Sequence, residues 1–413
     1  MPMRRAAEHA LPATPARLAA ENLYRQRPLS ELARLFLKLG TISFGGPAAH
    51  IALMRQEVVE RRRWLTEQEF LDLLGATNLI PGPNSTEMAI HIGHRRAGIP
   101  GLLVAGTCFI LPAVVIVSAL AWVYVRFGAM PEARALLSGI TAVIVAVVIQ
   151  AIWALGRVAI KSRSLAALSV LGLIAVSQGV NELVVLALGG AVAGAMKRLG
   201  GKTSKGQSIS GMLRLSGIAV AAEAHTVTAA ASITTAAVSS LGLGTLFGVV
   251  IKAGAVLFGS GYVLIAFLRA DLVDRLGWLT ERELWNAIAV GQMTPGPVFT
   301  TATFVGYLLA GPIGALVATV GIFLPAFVYV AISAPLVPHL RQSALVSGVL
   351  DGVNVMSLAL MAVVTWHMAR ATFVDPISLV VTAASAALLI ATRVNSIWLI
   401  MAGAAIGLAR ASW

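Results

Sequence analysis

Residues 81–93 read PGPNSTEMAIHIG, and residues 295–306 read PGPVFTTATFVG. The same signals surround both. Upstream stand a glycine break (FGGPAAH at 44–50, FGSGYVL at 258–264) and the tetrapeptide WLTE (64–67, 278–281). Downstream a proline interrupts an apolar run, in GTCFILPA at 106–113 and GIFLPA at 321–326. Proline removes a backbone donor and crowds the preceding turn, so a helix reaching either PGP must break there. A repeat this long in an apolar chain marks a duplicated membrane protein with its working site between the halves.

The register holds residue by residue. At an offset of about 214, Lys38 falls on Lys252, Gly40 on Gly254, Phe44 on Phe258, Asn78 on Gln292, and Pro81–Gly82–Pro83 on Pro295–Gly296–Pro297. After one deleted residue, Gly93 falls on Gly306, Gly101 on Gly314 and Leu111–Pro112 on Leu324–Pro325.

Of the 413 residues, 58% are hydrophobic and 12% charged, about half the charged share of an ordinary soluble domain. Stretches such as Leu102–Val125, Leu136–Leu155 and Ala344–Met368 are long enough to cross a bilayer, and the shorter Ile397–Leu408 closes the chain. These patterns predict an all-α, polytopic integral membrane protein of about 10–13 helices, some broken or re-entrant. The short alternating segments of an outer-membrane barrel are missing. The net charge of +13 sits in short clusters between apolar runs, which reads as the loop bias that sets membrane orientation rather than a nucleic-acid surface. The single cysteine, Cys108, rules out an intramolecular disulfide and a cysteine zinc site. No removable signal peptide is visible in the first thirty residues.

Taken in order, residues 1–28 form a cytoplasmic tail or surface helix, 29–196 a first repeat, 197–240 a linker and 241–413 a second repeat. Ser30 is placed to cap the first helix, and Gly45–Gly46–Pro47 to stop it within the membrane region. Thr66 and Glu69 form a capping box for the helix that runs into the first PGP. Arginine-rich loops beside WLTE and after Gly93 mark the first copy, whereas the matching loops of the second lose the positive bias. That difference predicts inverted halves.

A helix broken at membrane depth leaves backbone N–H groups that are tolerated only where they line a cavity or meet a ligand, and a helix N-terminus favours an anion. The candidate binding set is therefore Asn84, Ser85 and Thr86 after the first break, Thr300 and Thr301 after the second, and the glycine breaks Gly45–Gly46 and Gly259–Ser260. The plainer alternative is a pair of proline kinks that only shape the bundle. Lys38 and Lys252, at equivalent positions in apolar segments, suit a divalent anion; the alternative is a snorkelling lysine. Glu87 and His91, four residues apart on one helix face, form a candidate proton-coupling pair, or else Glu87 makes a structural ion pair with Lys38 or a loop arginine. His50 reads as interfacial, and Trp64 and Trp278 as interface anchors. No phosphate loop and no HExxH helix occur. The reading is a transporter rather than an enzyme, without cofactor or metal.

At FGGPAAHI, WLTE, PGPNSTEMAIHIGHRRAG and PGPVFTTATFVGY the chain resembles the chromate ion transporter (CHR) family, in its long, two-domain form, over both halves. The resemblance implies chromate export across the bacterial inner membrane, with chromate resistance, and sulfate as the close structural analogue. It also implies drive by an ion gradient and halves of opposite orientation. Val298 stands where the first copy has Asn84, so the two sites need not be equivalent. Sulfate or another divalent oxyanion is the alternative cargo, a passive anion channel or an intramembrane enzyme the alternative class. Partners are the anion, the bilayer, protons as a coupling candidate and a possible homodimer.

Overall fold

The computed structural model describes residues 15–44, 46–200, 240–258, 261, 263–333, 344–373, 375–392 and 394–411. Fourteen α-helices and no strand occur among them. The first seven are α1 (Pro15–Ile42), α2 (Gly46–Arg55), α3 (Glu67–Thr77), α4 (Asn84–Phe127), α5 (Pro131–Ala159), α6 (Arg163–Ser177) and α7 (Glu182–Gly200). The second seven are α8 (Ser240–Val256), α9 (Val263–Leu268), α10 (Glu281–Met293), α11 (Thr301–Ser333), α12 (Ala344–Thr372), α13 (Pro376–Ala391) and α14 (Ser396–Ala411). Fourteen exceeds the expected ten to thirteen, because each glycine break releases a short separate helix, α2 or α9. Most of the linker 197–240 and the first fourteen residues lie outside the described residues.

Among the described residues, four elements are long and apolar enough to cross a membrane: Asn84–Phe127, Pro131–Ala159, Val298–Ser333 and Leu345–Thr372. The chain is a multi-pass membrane protein, and its exposed leucines, valines and tryptophans are the lipid-facing surface such a protein requires.

One expectation fails. The first helix does not begin at Ser30 but runs unbroken from Pro15 through Pro28 to Ile42. Proline costs a helix one hydrogen bond without forbidding continuation, and Ser30 sits inside the helix rather than capping it. Elsewhere the capping chemistry is as read. The Thr66 and Thr280 side chains accept from the backbone of Glu69 and Glu283, whose carboxylates accept in return.

The duplication extends further than the sequence register showed. α5 and α12 are each 29 residues long, and the helices after them open on equivalent caps: Ser162 accepts from the Leu165 amide and Asp375 from the Ser378 amide. Between α2 and α3, and again between α9 and α10, lies a π-helical turn, Gln56–Arg61 and Arg269–Arg275.

α4 and α11 are helical hairpins rather than rods. α4 reverses at Ala97 (φ −146°) and Gly98 (φ 61°), and α11 at Ala310 (φ −145°) and Gly311 (φ 60°). A β-carbon at Gly93 would meet Gly101 and Ala105, so the two limbs touch through glycine; Gly306 meets Gly314 and Ala318 alike. The first limb of α4 and the 11-residue α3 are each roughly 15–20 Å long, about half of a ~30 Å hydrocarbon core. They lie side by side rather than end to end, since Arg95 at the end of the limb reaches Glu69 in the first turn of α3 at 3.0 Å and Arg96 stacks on Trp64. The pair is a re-entrant hairpin with PGP at its tip.

The long limbs of α4 and α11 run antiparallel. Gly106, early in the α4 limb, lies against Phe327, late in that of α11. Tyr124 and Gly128, at the end of α4, share a cavity with Leu308–Ala310, where the α11 limb starts. Equivalent helices that cross in opposite directions make an inverted repeat, as the loop charges predicted.

The halves are also interlocked, since α5 packs mainly on α13 and α14 of the second half and α12 on α6 and α7 of the first. Small residues permit the close approach. The backbone of Gly139 lies on Gly403 and Gly407, and that of Gly352 on Gly189 and Ala193.

Candidate functional site

Each PGP is fastened to the opposite half. The Gly82 N–H donates to the Leu257 carbonyl at 2.6 Å, and the Gly296 N–H to the Ser43 carbonyl at 2.9 Å. Ser43 and Leu257 follow the last turns of α1 and α8, just before the two glycine breaks. The four interruptions read from sequence therefore meet in two crossed pairs. Only glycine suits these positions, because φ is +143° at Gly82 and +90° at Gly296.

A polar cavity lies at each crossed pair. One, about 380 Å³, is lined by Phe44, Gly46, Ala49 and His50 from the first glycine break and by Gln292, Thr294, Gly296 and Val298 from the second PGP, with Gln150 and Asn395 closing it. The other, about 330 Å³, is lined by Phe258, Val263, Asn78 and Asn84, with Lys161, Asp351, Asn354 and Ser357. Phe44 and Phe258, Ala49 and Val263, Gln292 and Asn78, Val298 and Asn84 are equivalent pairs, so the cavities are related by the pseudo-symmetry. Apart from His50, the first offers amides and hydroxyls. The second holds the Lys161–Asp351 pair at 2.7 Å, with Lys197 also on Asp351 at 3.0 Å. A larger cavity, about 800 Å³, is lined by Arg134, Trp278, Arg282 and Asn286. It touches neither break, so size alone does not make it the site.

The two lysines do not line these cavities. Lys38 pairs with Glu57 at 2.8 Å, and Lys252 pairs with Asp271 and lies 3.7 Å from Glu182. The surrounding network is duplicated as well. Arg61 and Arg275 reach the same two carboxylates at 2.9 and 2.7 Å, and Arg55 and Arg269 each bridge two further acids. Glu57 and Asp271 sit within the π-helical turns and keep only 5% of their side-chain surface exposed. The cations neutralise these acids, which answers the cost that first made the lysines conspicuous. The ammonium groups are occupied in this conformation.

Among the other expected site residues, Asn84 lines the second cavity and donates to Asn78 at 2.9 Å. Gly46 lines the first. Ser85 and Thr86, in the same first turn of α4, are buried. The Thr300 and Thr301 hydroxyls turn back onto the Pro297 and Val298 carbonyls at 2.8 Å, satisfying their own break. Gly45, Gly259 and Ser260 lie outside the described residues.

Glu87 and His91 are buried in the first limb of α4. The alternative that Glu87 is ion-paired does not hold: neither of its oxygens has a hydrogen-bond partner, and Lys38 is on Glu57. His50 is not interfacial either. It is 1% exposed and edge-on to Phe109, because the chain turns inward at the glycine break. Trp64 is capped by Arg62 and Arg96, 5.5 and 4.6 Å from its ring.

Gln150, Asn354 and Asn395 were missed as wall residues. They lie on α5, α12 and the approach to α14, distant in sequence from any break, and only the interlock of the halves brings them in.

The sequence profile of a family described as chromate transporter matches residues 30–195 and again 244–408. A chromate transport protein of Cupriavidus metallidurans is 30% identical over 380 residues, 92% of each chain. One of Pseudomonas aeruginosa is 31% identical over 348 residues, 83% of this chain and 81% of that protein. A probable chromate transport protein of Synechococcus elongatus is 31% identical over 336 residues, 81% and 83% of the two chains. No solved structure matches. With both halves matched and relatives aligned along most of its length, the chain belongs to the chromate transporter family.

Proposed function

We propose that this protein is a secondary transporter that exports chromate across the bacterial inner membrane, driven by an ion gradient, and so confers chromate resistance. The observation that carries this reading is the crossed meeting of four helix breaks, which leaves two pseudo-equivalent polar cavities between inverted halves. Inverted repeats with broken helices bind cargo at such an interface and expose it alternately by moving one half against the other. The relatives' names support chromate as cargo. Neutral amide and hydroxyl donors suit a tetrahedral dianion without holding it too tightly to release. No nucleotide-binding loop is present to drive a pump.

Uptake of radiolabelled chromate into everted membrane vesicles tests this, with excess sulfate as competitor and with or without an ionophore. Saturable uptake that collapses with the ionophore and resists sulfate is expected. Uptake abolished by sulfate would make chromate a passenger on a general oxyanion carrier. Uptake that neither saturates nor responds to the ionophore would make the protein a channel.

A further inference from the structure

The first limb of α4 holds a file of polar atoms that oxyanion binding leaves unused. Asn84, Glu87 and His91 fall at i, i+3 and i+7, on one helix face. Asn84 stands at the wall of the second cavity, while Glu87 and His91, at 0% and 2% exposure, lie behind it. Asn84 Oδ1, both carboxylate oxygens of Glu87 and His91 Nε2 are buried without a hydrogen-bond partner.

The surroundings do not supply a counter-charge. α11 presents Ala326, Phe327 and Val330, and the end of α8 presents Leu257. Lys38 of α1 and Lys252 of α8 are held by Glu57 and Asp271. The other titratable neighbours are His94 on α4 itself, Tyr329 of α11, which donates to the Ala255 carbonyl, and, at the cavity ahead of Asn84, Lys161 and Lys197, both held by Asp351. An ionised carboxylate left alone in such a place costs several kcal/mol, whereas a protonated one does not.

The second copy differs at these positions. Between Val298 and Gly306, which match Asn84 and Gly93, stand only Phe, Thr, Ala and Val, so Glu87 and His91 have no titratable counterpart. Thr300 is already satisfied by Pro297. Glu87 also lies against the crossed contact, since a β-carbon at Gly82 would run into its carboxylate. The group that gains or loses charge is thus next to the N–H that fastens the first PGP to Leu257.

We propose that Glu87, with His91 four residues on, is a proton-binding site present in the first half only, loaded from the second cavity past Asn84. The proton binds the Glu87 carboxylate as a neutral acid and leaves it as a carboxylate. The bare charge then draws polar groups towards the first PGP and loosens the Gly82–Leu257 contact. A single site in a duplicated fold makes proton and oxyanion counts unequal between the halves. A metal ion is disfavoured as the occupant, because no group of three or more His, Cys, Asp or Glu that could hold one occurs among the described residues.

The inference rests on the transport reading, and the test separates the two. Purified protein in proteoliposomes is given radiolabelled chromate with and without an imposed pH gradient, and separately in chromate–chromate exchange without a gradient. Wild type should accumulate chromate about tenfold more with the gradient than without it. Glu87→Gln, fixed in the neutral form, should lose that stimulation and keep exchange within about twofold. Glu87→Asp should restore part of the stimulation with a displaced pH profile. In detergent, chromate binding beside the carboxylate should favour its protonated form, so wild type should take up protons, read by an indicator dye, and Glu87→Gln none. Glu87→Gln stimulated like wild type would overturn the proton site. Equal loss of stimulation and exchange in a properly inserted Glu87→Gln would also overturn it, making Glu87 structural. Wild type carrying chromate blind to pH would overturn the site while leaving transport intact. No saturable chromate flux in wild type would overturn the transport reading itself.

Discussion

At Gly82 and Gly296 the backbone takes φ values of +143° and +90°; the space beside Gly82 is filled by the Glu87 carboxylate and then by Ala326 of the opposite half, and that beside Gly296 by the opposite half directly. Ala326 lies 3.6 Å from the β-carbon that Gly82 lacks, and Ala113 lies 2.8 Å from the one missing at Gly296. Replacing either glycine by alanine should cost about 1–3 kcal/mol of backbone strain and push the crossed contact apart. Gly82→Ala and Gly296→Ala should therefore lower transport at least tenfold at matched insertion, with a lower melting temperature in detergent. Gly98→Ala strains a similar positive φ but meets nothing within 4 Å. It should cost stability with much less effect on flux. Equal flux loss in all three variants would remove the special role of the crossed contact. The glycines and prolines were legible in sequence because they punctuate helices whatever surrounds them. His50 was not, since burial of a lone histidine depends on where the chain turns after Gly46.

At the scale of elements, the π-helical turns carry acids that occupy the two lysines. This gives Lys252 two competing roles, with different outcomes. As partner of Asp271, which is 5% exposed, its removal should cost about 2 kcal/mol, below the usual range for a fully buried pair because the lysine keeps some contact with water. Lys252→Ala should then lower both stability and flux, and adding Asp271→Asn should recover most of the stability. Recovery of flux together with stability would make Lys252 structural. Flux that stays lost while stability returns would assign its ammonium to the anion pathway, released when the halves move. Charge in an apolar run flagged the lysines in sequence. Their partners, nineteen residues away for Lys38 and Glu57, were hidden because the π-helical turn sets which acid faces inward.

Helix contacts between the halves depend on glycine in the same way. The Gly407 backbone lies against Ala135 and Gly139, so Gly407→Val would force α14 away from α5. A loss of several kcal/mol is expected from overpacking at so close a crossing, seen as reduced insertion or early melting. Gly156→Val, in the same α5 with open space beside it, is the control that should behave as wild type. Melting of Gly407→Val at the wild-type temperature would contradict this packing.

Across the whole molecule, the sequence disclosed the duplication, the breaks and the opposite orientation, because each leaves a local mark: a repeated motif, a proline, a charge bias. It did not disclose the exchange of α5 and α12 between halves, since apolar helices of equal length carry no label for their partner. The inverted arrangement has its own check. Gln68 and Arg282 occupy equivalent, exposed positions in α3 and α10. In a Cys108→Ala background, Gln68→Cys and Arg282→Cys should react with a membrane-impermeant thiol reagent from opposite sides of the membrane. Labelling from the same side would contradict inversion.

Cargo binding where the breaks cross is tested most directly in proteoliposomes, by comparing initial rates of chromate uptake in Gln150→Leu and Arg282→Ala with wild type. Gln150 lines the cavity between the first glycine break and the second PGP, and Arg282 lines the larger cavity that touches no break. Gln150→Leu should raise the KM for chromate about tenfold with little change in insertion, and Arg282→Ala should leave it within about twofold. An unchanged KM in Gln150→Leu, with a tenfold rise in Arg282→Ala, would place the anion outside the crossed breaks.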